Sequence, residues 1–200
     1  MASLKPLNLP AKTVRKVPKQ RRSKKLVAAI MEATARILED GDKPFTTNHI
    51  ADRAGVSIGS LYQYFPSADA IMVALIEQHV ADERDAAEAI LAKLEGGEMN
   101  LMHDLLVAYI DAHANAPRLT AQVHALAPSF GLQDHLVSAR DAQADRIAQV
   151  TGLPEADVQM AVMAVEGVVL ATLTSHPERL KSSAFIDRLY TMVLAPLAPG

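Results

Sequence analysis

From Ser23 onward the apolar positions fall in helical rhythm. Leu26, Val27, Ile30, Ala33, Thr34, Ile37 and Leu38 recur at steps of three and four, and Gly41 ends the run. Pro44 and Phe45 read as a connector. Thr46 or Thr47 can then cap a short helix through Ala54, with Ile50 and Ala54 on its inner face. Gly55-Val56 makes a tight turn, Ser57 caps the next helix, and Pro66 closes it. Three closely spaced helices, the last two joined by a glycine-containing turn, form the helix-turn-helix pattern.

Ser67 caps a longer helix with Asp69 in its first turn, where a negative charge suits the positive helix end. Its pattern extends to Leu94, roughly 42 Å at the α-helical rise, and Gly96-Gly97 stops it. Further helices are predicted at 100–115, 118–127, 132–151, 154–175 and 182–195, punctuated by Pro117, Pro128, Gly152-Leu153-Pro154 and Pro177. No stretch alternates with period two. The expectation is an all-α chain of about nine helices. Residues 1–22, with Pro6, Pro10 and Pro18 and no apolar period, are expected to form a disordered arm.

Charge divides the chain at the same place. Residues 1–65 carry twelve Lys or Arg against five Asp or Glu, a net of +7; residues 66–200 carry eight against eighteen, a net of −10. One end suits a polyanion and the other repels it. A solvated basic tail without a partner is the plainer alternative. The absence of cysteine removes disulfides, thiolate metal sites and thiol sensing, and fits a reducing cytoplasm. No apolar stretch follows the early basic residues, so no secretory leader is expected. The apolar run Val158 to Leu173 is interrupted by Gln159, Glu166 and Thr172, which argues against a membrane span.

On a helical wheel starting at Ile58, Leu61 and Phe65 face inward, whereas Gly59, Ser60, Tyr62 and Gln63 face out. The outer face has small residues permitting close approach, an amide able to pair with adenine, and a phenol suited to phosphate. The window from Thr46 to Ser67 closely resembles the DNA-binding segment of TetR-family (tetracycline-repressor-like) regulators. The shared features are a Thr opening the second helix, Ile50-Ala51, Ala54-Gly55-Val56-Ser57, Leu61-Tyr62, and Tyr64-Phe65 before the fourth helix. The resemblance implies that Thr47, Tyr62 and Tyr64 hold phosphates and that Asn48, Ser60 and Gln63 reach bases. It also implies that Gly59 lets the helix sit deep in the major groove and that Ile58 touches a thymine methyl. Family members often place a Lys second in the long helix. Here the residues are Ala68 and Asp69, and the basic arm is expected to replace that contact.

Three regions are expected: the basic arm over 1–22 and, as the resemblance implies, a DNA-binding domain over 23–66 and an effector-binding and dimerisation domain over 67–200. The implied function is that of a cytoplasmic repressor, binding a palindromic operator as a homodimer and released by a small-molecule effector. Small residues Ala164, Gly167 and Ala171 on one helical stripe permit close helix packing, with Phe185, Leu189 and Met192 as apolar partners. The effector pocket is expected among His103, Leu106, Tyr109, Ile110, His113 and His124. No cofactor is expected.

Two other chemistries are weighed on the residues. Gly55-Val56-Ser57-Ile58-Gly59 satisfies the Gly-x-Ser-x-Gly spacing of serine hydrolases, but that chemistry needs a strand before the serine, and a helix precedes Ser57. No enzyme is expected. His103 and His113 share a helix face but lie about 15 Å apart along it, too far for one zinc ion. No His-x-x-x-His pair exists, so no metal site is expected and the histidines read as core or pocket lining.

Overall fold

The computed structural model describes residues 20–92 and 101–197. Among them all regular structure is helical, with nine α-helices and no strand. The arm over residues 1–19, the end of the long helix near Leu94 and the Gly96-Gly97 stop lie outside the described residues.

Helix α1 runs Arg21–Asp40, so Arg21 and Arg22, read as the end of the arm, stand in its first turn. Gln20 and Ser23 cap it reciprocally, and Gly41 ends it with φ +62°, a left-handed conformation that costs glycine little. Helix α2 is Thr47–Ala54, with the Thr46 hydroxyl accepting from the His49 amide at 3.3 Å. Gly55, at φ +66°, turns the chain into α3, Ile58–Tyr62, where Ser57 accepts from the Ser60 amide at 3.1 Å. Ser67 caps α4, Ala68–Leu91, in the same way. The body adds α5 (Leu101–Ala114), α6 (Pro117–Leu126), α7 (Gln133–Thr151), α8 (Glu155–Ser175) and α9 (Ser183–Leu189), and the last widens into a π turn over Tyr190–Leu194.

Burial of apolar faces joins these helices around three clusters. The first contains Val27, Ile30, Ile37, Ile50, Leu61, Phe65, Ile71, Met72 and Ile76, completed by Val123 of α6 and Ala127 just after it. The second joins α5, α8 and α9 through Leu106, Ile110, Val165, Val169 and Leu189; the third joins α4, α5, α7 and α8 through Leu91, Leu101, Ile147 and Val158.

Because α6 supplies part of the first cluster, packing does not stop at residue 66. Hydrogen bonds reinforce that join. The Arg118 guanidinium donates to the Asp40 carbonyl (2.9 Å), the Leu119 amide to the Glu39 carboxylate (2.8 Å), and the Gln122 amide group to the Leu38 carbonyl (3.2 Å). The head is thus held at the end of α1 by α6 as well as by the chain running into α4.

By length and composition α8 could cross a membrane. Its packing is that of a core helix on one side. Val158, Ala161, Val165, Val169 and Leu173 are buried in the body, and Glu166 meets Arg140 at 3.4 Å. Its other side exposes Met160 (65 %) and Met163 (54 %) together with Gly167 and Ala171.

Candidate functional site

The outward surface of α2 and α3 is built by three inward anchors. Ile50, Leu61 and Phe65 are fully buried, which fixes the roll of both helices and turns Asn48, Ile58, Gly59, Tyr62 and Gln63 outward. The Tyr62 hydroxyl meets the Thr47 hydroxyl at 3.1 Å, so a polar pair bridges the two helices at the surface. Ser57 and Ser60 pair similarly at 2.8 Å. Tyr62 is 40 % exposed. Tyr64, expected beside the phosphates, is only 7 % exposed and packs in the head's core, so it offers an external partner far less than Tyr62 does.

Gly59 carries specific information. A Cβ placed there would meet nothing within 4 Å, so no internal contact demands glycine. Gly59 is the second residue of the five-residue α3 and is exposed, so the backbone there is open to close approach from outside.

In the body a cavity of about 560 Å³, partly open to solvent, lies between α4, α5, α6, α7 and α8. Its lining mixes apolar Val80, Leu91 and Leu136 with polar and charged side chains, among them Glu83, Arg84, Tyr109, His124, His135, Arg140 and Glu166. Of the expected pocket residues, Tyr109 and His124 line this space, whereas Leu106, with Tyr109, lines a smaller apolar void of about 70 Å³. Ile110 is packed in the core beside it. His103 stands apart, stacked edge-on against Tyr190 with ring centres 5.4 Å apart. Burial, with the charges of Glu83 and Glu166, pushes the Tyr109 phenol well above its usual range, so it stays a neutral donor.

His113 is fully buried and does not stand alone. With His79, Glu83 and His124 it forms a cluster whose facing ligand atoms all lie within 4.8 Å of one another. Burial acts to raise the Glu83 carboxyl, but the close imidazoles of His113 and His79 outweigh it and hold Glu83 well below the usual carboxylate range. Burial pulls His124 down to about 4, which leaves it neutral near pH 7.

Comparison with known proteins gives one family. The description "Bacterial regulatory proteins, tetR family" matches residues 30–75, from the second half of α1 through the first turns of α4. The HTH-type transcriptional repressor KstR of Mycolicibacterium smegmatis is 28 % identical over 166 residues, covering 80 % of each chain. Nucleoid occlusion factor SlmA of Mannheimia succiniciproducens is 34 % identical over 82 residues, which is 41 % of this chain and only 38 % of that relative's length. A solved TetR family transcription regulator from Marinobacter aquaeolei VT8 superposes with a TM-score of 0.64 at 18 % identity, covering 88 % of this chain and 96 % of that one.

Residues 30–75 match the tetR-family model, and the chain as a whole shares the fold of solved regulators of that family.

The Lys that the resemblance led one to expect second in the long helix is replaced here. Ala68 follows the Ser67 cap and is half-buried, leaving Asp69 as the charged residue of that turn. On the body, Gly167 is exposed and mid-helix, with nothing within 4 Å of a Cβ. Of the residues expected at a dimer face, Gly167, Ala171 and Met192 are exposed, while Ala164 and Phe185 are half-buried. Leu189 is a correction: at 5 % exposure it is spent on the subunit's own core and has little surface left for a partner.

Reasoning from sequence missed His79 and Glu83. Their i, i+4 spacing on one face of α4 was the available signal, but it was hidden by looking only for paired histidines.

Proposed function

We propose that this chain is a homodimeric transcriptional repressor of the tetR family that reads a palindromic operator through α2 and α3. A small, largely apolar molecule bound in the body would release it from DNA. The observation that carries the DNA reading is the outward face of α2 and α3, where Asn48, Tyr62 and Gln63 surround the exposed, unobstructed Gly59. The net +7 of residues 1–65 against −10 for the remainder supports a polyanionic partner at this end. The KstR relative, a repressor by name, favours repression over activation. A cytoplasmic protein with no membrane partner fits this reading.

In this reading Asn48, Ser60 and Gln63 reach base edges, Ile58 reaches a thymine methyl, and Tyr62 with Thr47 holds phosphate. Gln63→Ala is expected to relax preference at one base position in each half-site, at about 1–3 kcal/mol for each bidentate pair removed. Tyr62→Phe should instead weaken all sequences alike. Selection from a randomised duplex pool reads both, and identical preference profiles for the two variants would refute this division of labour.

Dimerisation is assigned to the exposed side of α8 with the end of the chain around Met192. Two copies packed through Gly167 and Ala171 would cover Met160 and Met163, which stand bare on the single chain. Gly167→Leu should leave the fold intact and yield monomers by sedimentation equilibrium. A variant that sediments as a dimer would place the interface elsewhere.

The cavity of about 560 Å³ lies within the usual range for sites holding a small organic molecule. It abuts α4, which leads directly from the head, and α6, which is hydrogen-bonded to the end of α1. A ligand that spreads these helices would therefore bias the head's orientation.

A further inference from the structure

We propose that His79, Glu83, His113 and His124 form a site for one divalent transition-metal ion of the zinc class, clasping α4, α5 and α6 at the wall of the cavity.

Geometry carries the assignment. Four donors from three helices converge: His79 Nε2 lies 3.0 Å and His113 Nε2 2.9 Å from Glu83 Oε1, and all four ligand atoms fall within 4.8 Å of one another. Zinc holds nitrogen and oxygen ligands at about 2.0–2.2 Å in a tetrahedron. Its donors are therefore roughly 3.3–3.5 Å apart. Shifts of a few tenths of an ångström to about one ångström would bring these four to that spacing.

Three imidazoles and one carboxylate make a donor set that suits zinc, cobalt or nickel. Magnesium and calcium prefer oxygen.

The polar accounting points the same way. Glu83 Oε1 faces the Nε2 atoms of His79 and His113 at 3.0 and 2.9 Å without the geometry of a good hydrogen bond, and the buried His124 Nε2 has no hydrogen-bond partner. A single cation among them would satisfy all four atoms.

The tautomer of His113 is also set. Its Nδ1 lies 2.8 Å from the Tyr109 carbonyl, which can only accept, so the ring donates from Nδ1 and, in the neutral ring, its Nε2 carries the lone pair toward Glu83. An imidazole anchored by a backbone carbonyl on one nitrogen, with the other nitrogen bare, is the usual arrangement behind a metal. Without a cation this geometry sets a lone pair against a carboxylate. The competing arrangement is a doubly protonated His113 bridging to Glu83.

The inference does not rest on the DNA-binding reading, because its test involves no DNA. The untagged full chain, stripped with chelator, is titrated with Zn(II) and followed by equilibrium dialysis and thermal unfolding. The expected result is one ion per chain and a midpoint raised by roughly 5–10 °C at a hundredfold excess over Kd. Co(II) in the same chain should give the intense visible absorption of a tetrahedral ion. His124→Gln and Glu83→Gln should each weaken binding at least about tenfold. His103→Gln, away from the cluster, should leave it unchanged.

Should a cluster variant fail to fold, the wild-type Co(II) spectrum still decides. Weak octahedral absorption, or binding that His124→Gln and His103→Gln lower alike, would overturn the site in favour of the imidazolium–carboxylate cluster.

Discussion

Gly59→Leu is expected to abolish specific operator binding while leaving the protein as stable as the parent or more so. The two effects have opposite signs because the glycine serves nothing inside the fold. A Cβ at that position meets no atom within 4 Å, and replacing a glycine in the first turn gains part of the roughly 0.8–1.0 kcal/mol that a helix interior would give. On DNA, however, a leucine would project from α3 beside Ile58, Tyr62 and Gln63. It would hold the helix out of the groove and break several interactions together. Two missing bidentate pairs at about 1–3 kcal/mol each correspond to a decrease in affinity of at least about 30-fold. Circular dichroism melts and fluorescence anisotropy on an operator duplex measure the two quantities separately. Unchanged affinity in the folded variant would mean that this face does not enter a groove.

Phe65→Ala is expected to have the largest effect on stability, about 3–5 kcal/mol. Phe65 is fully buried among Ile30, Ile50, Leu61 and Ile71, and its ring is among the largest completely buried side chains. A domain's whole stability is only about 5–15 kcal/mol, so much of the margin would go. Because Val123 and Ala127 close the same cluster, the damage should reach α6. Faster amide exchange is expected in α1 and α6 together, with a lower denaturant midpoint. A destabilisation below about 1 kcal/mol, or exchange changes confined to α3, would show that the cluster is not packed as described.

Much of the fold was legible because its boundaries are written in local chemistry. Thr46, Ser57 and Ser67 each accept a hydrogen bond from the third residue on, and Gly41 and Gly55 take the left-handed turns their positions suggested. Where tertiary packing overrides local pattern, the reading slipped. The third helix ends at Tyr62 and not at Phe65, since Tyr64 and Phe65 turn into the core. The π turn after Leu189 resets the phase of the final segment, so Leu194 faces in and Met192 out.

The same limit applied to the sites. The outward face of α3 could be read from one short wheel because its residues are neighbours in sequence. The cluster of His79, Glu83, His113 and His124 could not, because three helices must first come together. Two of its members were expected as pocket lining, and Glu83 belongs both to the cluster and to the cavity wall.

The contribution of α6 to the head also limits what can be recombined. A DNA-reading unit cut after residue 66 and grafted onto another body would lack Val123 and Ala127, and with them one wall of its own core. It would also be without the three hydrogen bonds that hold the end of α1. A chimera that retains operator preference must therefore carry the α6 surface along with the head, or rebuild it. Exchange of operator specificity between relatives is accordingly expected to proceed by substitutions on the outward face of α2 and α3, with the head itself staying in place.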